Sequence, residues 1–95
     1  MDIVSVRHKA LRAYLESGRA VGLDARVASR LRNMVAFLVA AESVEELAVP
    51  PNFGFHCLTG NRKGTATMTA TRNWRLTFRL DENNGIVDLD LEDYH

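Results

Sequence analysis

The sequence predicts an α+β fold, with two N-terminal helices packed on a twisted, mainly antiparallel sheet of four to five strands. Three observations carry that prediction. Apolar residues recur with the 3.6-residue helical period through the first half of the chain. After Pro51 the period drops to two, the spacing of half-buried strands. Between the last two alternating segments stands Asn83-Asn84-Gly85, a hairpin signal, because tight turns need residues that tolerate positive φ.

In order along the chain, Ile3–Val6 is a short β-branched run that reads as a strand. A helix follows from about Arg7, with Leu11, Tyr14 and Leu15 on one face, and Gly18 supplies a left-handed stop. Asp24 is the expected N-cap of a longer second helix. Its stripe of Val27, Leu31, Met34, Val35 and Leu38 is a core face, while Arg26, Ser29, Arg30 and Asn33 take the other side. Glu42–Glu46 extends helical character by about one turn, and Pro50–Pro51 ends it. Phe53, Phe55 and Cys57 then alternate with small or polar residues, and Thr occupies every odd position from Thr65 to Thr71. Arg72–Asn73 is a short turn. Trp74, Leu76, Phe78 and Leu80 alternate with Arg75, Thr77 and Arg79, and Val87, Leu89 and Leu91 alternate with Asp88, Asp90 and Glu92. The resulting order is β-α-α-β-β-β-β, the first strand being free to join the later meander. A two-residue turn at Asn84–Gly85 sets Arg79 opposite Asp90 and Phe78 opposite Leu91, and a five-residue loop sets Asp88 opposite Phe78; the first is preferred. Either way the hairpin carries Arg75 to the side of the extreme C-terminus.

A chain of 95 residues has room for one domain, residues 1–95. Its 46% apolar and 25% charged residues exclude disorder. No apolar run reaches the ~20 residues of a membrane span, and Asp2, Arg7 and His8 interrupt any export signal. The lone Cys57 excludes an internal disulfide and is expected as a buried core thiol; a cytoplasmic location follows. The net charge of zero argues against a nucleic-acid partner until it is read along the chain. Ten of the twelve cations are Arg, the residue whose forked donors suit phosphate. Residues 62–79 carry Arg62, Lys63, Arg72, Arg75 and Arg79 without an acid, whereas residues 80–95 carry six acids without a base. Such blocks either neutralise one another across strands or serve an anionic partner.

His8, His56 and His95 have neither helical metal-ligand spacing nor a cysteine cluster, so no metal and no cofactor are expected. Gly60-Asn61-Arg62-Lys63-Gly64-Thr65 lacks the spacing of a nucleotide-binding loop but is a basic turn able to meet a phosphate. What remains is an inventory suited to cutting RNA. A base takes the 2′-hydroxyl proton, an acid protonates the 5′-oxygen, and a cation holds the charge on the crowded phosphate. Histidine titrates near neutrality and serves the first two tasks, and Arg serves the third.

The residues Arg7-His8-Lys9, Leu11, Glu16-Ser17-Gly18, His56, Leu58, Gly60, Arg62, Gly64, Asn73-Trp74-Arg75, Thr77-Phe78 and Glu92-Asp93-Tyr94-His95 follow a known order and spacing. Over essentially its whole length the chain resembles the HigB toxins, the "killer protein" branch of the RelE/ParE superfamily. The resemblance implies a RelE/ParE-like fold and an mRNA interferase, a metal-independent ribonuclease that cleaves translated mRNA in the ribosomal A site. It implies a helix-turn-helix, HigA-like antitoxin as partner, with operator DNA reached only through that antitoxin and no membrane association. By motif, His56 and His95 become the acid and base, Arg75 the phosphate stabiliser, Asp93 the residue that orients a histidine, and Tyr94 a stacking or hydrogen-bonding group. Arg62, Lys63 and Arg72 become contacts to the RNA backbone. The chain departs from the family pattern at Thr59 and Asn61, which replace Lys and Asp, at Thr65 and Ala66, where aromatics are common, and at Asp90 and Leu91. Two other functions share this fold or its decay: gyrase inhibition of the ParE kind, which needs no histidine pair, and an antitoxin-bound co-repressor.

Overall fold

The computed structural model describes residues 1–94. Helices α1 (Lys9–Ser17), α2 (Ala25–Ala40) and the single turn α3 (Val44–Leu47) precede four strands, β1 (His56–Cys57), β2 (Thr65–Thr69), β3 (Trp74–Leu80) and β4 (Ile86–Asp93). The strands form an antiparallel meander in the order β1-β2-β3-β4. Ile3–Val6 does not become a full strand. It makes two isolated parallel bridges to β4, at Ile86 and Leu89, and covers that edge of the sheet.

The helix boundaries follow from capping. His8 accepts the Leu11 N–H at Nδ1, so this histidine is occupied as an N-cap. Gly18 closes α1 in the left-handed conformation at φ 75°. Asp24 accepts from the Arg26 and Val27 amides at the start of α2. The core lies between the helices and one face of the sheet. Leu11, Val27, Leu31, Met34, Leu38 and Leu47 meet Met68, Leu76, Phe78, Ile86 and Leu89, all buried.

The last hairpin differs from the preferred two-residue turn. Leu80 pairs with Ile86, leaving residues 81–85 as a five-residue loop. The Asp81 carboxylate holds that loop open by accepting from the Asn83 and Gly85 amides at 2.9 and 2.7 Å. Gly85 fits because a Cβ there would lie 2.7 Å from Asp81 Oδ2 and 2.8 Å from a Val4 methyl carbon. Continued unchanged, this register would turn Asp88 and Asp90 onto the apolar face. A β-bulge prevents that: the pairing shifts between Thr77 and Arg79, and Asp88 adopts φ 54° with its amide donating to Ser5 Oγ. Beyond the bulge Leu76 faces Leu91, Thr77 faces Asp90 and Arg75 faces Glu92. Arg79 lies opposite Val87, not Asp90.

Cys57 is a further departure. It is exposed, because β1 is a two-residue edge strand with no neighbouring strand on its outer side among the described residues.

Candidate functional site

Alternation sorts the strand residues onto two faces. Ala66, Met68, Leu76, Phe78 and Leu91 point to the helices. On the opposite, polar face, pairing aligns His56, Thr67, Thr77 and Asp90 in one cross-strand row, and Thr69, Arg75 and Glu92 in the next.

The second row holds Arg75, the expected phosphate stabiliser. Arg75 Nη1 donates to the Thr71 carbonyl at 2.8 Å and to the Arg72 carbonyl at 3.2 Å, both from the β2–β3 turn. Its guanidinium lies 5.1 Å from the centroid of the Tyr94 ring. Tyr94 itself is fixed by its amide, which donates to the Asn73 carbonyl at 2.6 Å. A guanidinium held by carbonyls on one side and an aromatic face on the other is planar and oriented before any ligand arrives.

Arg62 reaches the same row from the far end of the sheet. Its Nη1 and Nη2 bind Glu92 Oε1 and Oε2 at 2.8 and 2.6 Å, a bidentate pair. Thr77 Oγ1 also donates to Glu92 Oε2, at 2.5 Å. Because Arg62 starts in the turn before β2, its side chain crosses the polar face diagonally to reach β4. On this face Thr67 and Thr77 are 1% and 2% exposed. Among the described residues Thr67 Oγ1 has no hydrogen-bond partner there. The Arg62 hydrogen bonds, aided by the Thr77 hydroxyl, hold the Glu92 carboxyl below its ordinary pKa against the opposing effect of burial. The same contact raises Arg62.

His56 shares the polar face but not this cluster. By strand spacing and rise its backbone stands roughly 12 Å from that of Arg75. Its ring is exposed, and Nδ1 donates to the Gly54 carbonyl at 3.0 Å. A carbonyl can only accept, so Nδ1 carries a proton and Nε2 is the nitrogen left for chemistry.

Asp93 pairs with Trp74 and so alternates to the helix side of β4, opposite Glu92. Lys63 is exposed at the end of the turn Gly60–Arg62, and Arg72 is exposed beside Arg75. His95 lies outside the described residues. The structure thus brings Arg75, Tyr94 and Arg62 together around Glu92, with His56 on the same face at a distance. Glu92, Thr77 and Thr67 carry no role in the sequence reading. The opposed charge blocks pointed to a pair such as Arg62–Glu92 without identifying it. Among the described residues no group of three or more His, Cys, Asp or Glu could hold a metal ion, and no helix is long and apolar enough to cross a membrane.

With this geometry in place, comparison with known proteins gives a consistent result. A family model described as the RelE-like toxin of type II toxin–antitoxin system HigB matches residues 4–95. A curated relative, the protein named Endoribonuclease HigB of Proteus vulgaris, is 31% identical over 93 residues, covering 98% of this chain and 99% of the relative. Among solved structures, a variant of YafQ from E. coli superposes with a TM-score of 0.61 at 14% identity, over 98% of this chain and 93% of that one. A YoeB/ParE toxin from Agrobacterium tumefaciens gives 0.52 at 16% identity, over 100% and 99%. The structural likenesses establish the RelE-like α+β fold.

Proposed function

The chain belongs to the RelE-like HigB toxins of type II toxin–antitoxin systems, and from that premise we propose that it is an endoribonuclease that cuts mRNA during translation. As a type II toxin it has an antitoxin partner; a helix-turn-helix, HigA-like protein that carries the complex to operator DNA completes the reading, with the cytoplasm as its place of action. The name of the Proteus vulgaris relative supports the ribonuclease activity.

One observation carries the chemistry: Arg75 is oriented by the Thr71 and Arg72 carbonyls and lies over the ring of Tyr94, the residue before His95 in the sequence. In the proposed reaction the 2′-oxygen attacks the adjacent phosphorus, its proton passes to one histidine, and the P–O5′ bond breaks as the other histidine protonates the 5′-oxygen. A 2′,3′-cyclic phosphate and a 5′-hydroxyl result. His56 and His95 fill the two roles, and the fixed Nδ1 proton of His56 leaves Nε2 for the transfer. Arg75 stabilises the extra negative charge on the phosphorane. Asp93 orients His95, and Tyr94 supports Arg75 and a base or phosphate. No step calls for a metal or cofactor. Arg62, Lys63 and Arg72 hold the RNA backbone, Arg62 only after Glu92 releases it. The acids thereby restrain free-RNA binding and leave affinity to the ribosome.

Primer extension on translated and untranslated transcripts after induction tests the reading. Cleavage confined to translated codons is expected, with His95→Ala reducing it by about 100-fold or more. Full toxicity in a folded His95→Ala chain overturns the acid–base assignment, and gyrase inhibition without mRNA cleavage overturns the enzyme class.

A further inference from the structure

Beside the polar face, a cleft of about 680 Å³ opens between the start of α2 and the β2–β3 turn, lined by Arg26, Arg30 and Arg72 with Ser29, Ala70 and Thr71 among the smaller residues. No acid lines it. The neighbouring Asp24 carboxylate is engaged with the Arg26 and Val27 amides. Among the described residues no ion pair involves Arg26, Arg30 or Arg72; Arg30 instead sits 5.8 Å over the Phe53 ring.

Arg26 stands in the first turn of α2, whose positive end is offset by the Asp24 carboxylate at the N-cap. That carboxylate does not line the cleft, so the guanidinium groups of Arg26, Arg30 and Arg72 stand open to an anion from outside. The exposed valines Val4, Val21, Val39 and Val49 all lie elsewhere, so the large side chains that the cleft presents are its three arginines. Finally, the cleft is continuous with the candidate site. Thr71 and Arg72, which line it, are the residues whose carbonyls hold Arg75.

We propose that this cleft binds the phosphodiester backbone of RNA, with Arg26 and Arg30 extending the track that Arg72 begins beside Arg75; the inference deepens the ribonuclease reading and rests on it. The RNA is either the strand being cut or ribosomal RNA flanking it. The test is an Arg26→Gln/Arg30→Gln variant in a His95→Ala background, which keeps the RNA intact during measurement. Glutamine suits a helix, so the variant folds. Binding is read by fluorescence anisotropy against salt, first with a short single-stranded RNA and then with ribosomes lacking mRNA. The slope of log K against log salt should become shallower by about 1.4, from about 0.7 per phosphate contact on a single strand. A charge-matched Arg19→Gln/Arg32→Gln variant should leave the slope nearly unchanged. An effect with the short RNA identifies the substrate strand, and an effect with ribosomes alone identifies ribosomal RNA; both support the cleft. Slopes matching the control in both arms overturn it, as does lost antitoxin binding with RNA binding intact. If the slope changes but the chain with His95 restored cleaves no mRNA on translating ribosomes, the cleft stands and the ribonuclease reading fails.

Discussion

Arg62 and the cleft arginines sit on adjoining surfaces of one small domain and treat the same charge in opposite ways. On the polar sheet face, Arg62 commits both terminal nitrogens to Glu92, and Thr77 adds a third bond to that carboxylate. Across the β2–β3 turn, Arg26, Arg30 and Arg72 line a cleft with no acid at all. Between them stands Arg75, bonded to neutral carbonyls and an aromatic ring, oriented but not neutralised. A neutral total therefore says little about the field an RNA strand meets. On the proposed reading, the strand meets one restrained cation, one poised cation and an open basic cleft.

The sharpest break between these regions should come from Arg75. If the polar face carries the chemistry, Arg75→Ala lowers the cleavage rate at saturating substrate by about 100-fold or more, as loss of a preorganised charge donor does. Arg75→Lys should restore little, because an ammonium keeps the charge but lacks the planar fork that can hold the carbonyls through one nitrogen and present another to the phosphate. Tyr94→Phe preserves the ring and Tyr94→Ala removes it, so single-turnover rates of the pair separate a platform from a hydroxyl role. Full activity in Arg75→Lys would show that charge alone matters there.

How much of this arrangement was legible in the sequence depends on the range of the forces involved. Helices α1 and α2 were readable because their burial repeats every few residues and their caps, Gly18 and Asp24, act locally. The placement of Arg75 beside the C-terminus was readable because hairpin arithmetic survives a small change of register. The register itself was not. It turns on whether the Asp81 carboxylate holds a five-residue loop, and on a bulge at Asp88 that restores the apolar face farther along. Cys57 was misread because alternation reports which face a residue takes and not whether its strand has an outer neighbour. The Arg62–Glu92 pair joins residues 30 apart through a diagonal crossing of the sheet, which no local pattern encodes.

A smaller effect sharpens the contrast between restrained and free arginines. Glu92→Gln releases Arg62 and uncovers the row containing the Thr67 hydroxyl, which has no partner among the described residues. Binding of free single-stranded RNA should tighten severalfold, with a salt slope steeper by about 0.7 for one added phosphate contact. Unchanged or weaker binding would mean that Glu92 positions Arg62 for RNA instead of withholding it. In the same variant stability should fall by about 1 kcal/mol, read as a lower urea midpoint. The figure is discounted from that of a buried charged pair because the Arg62 and Glu92 side chains are 42% and 26% exposed.

The least of the expected effects is its dependence on pH, and it isolates the same contact. Hydrogen bonding to Arg62 lowers the folded-state pKa of Glu92 below its value in the unfolded chain, about 4.3 for a free glutamate. A carboxyl whose folded pKa is depressed binds its proton more readily when unfolded. Its stabilisation is therefore complete above the unfolded value and disappears as pH falls through the folded one. Gln at this position does not titrate, so the difference in urea midpoint between the two chains reports Glu92 alone. It should stay level from about pH 8 to pH 5 and shrink below about pH 4. A difference that persists undiminished at lower pH would show that Glu92 acts through the shape of its hydrogen bonds and not its charge. Arg62 would then be held on the sheet face by geometry, and the electrostatic contrast with the open cleft would lose its basis.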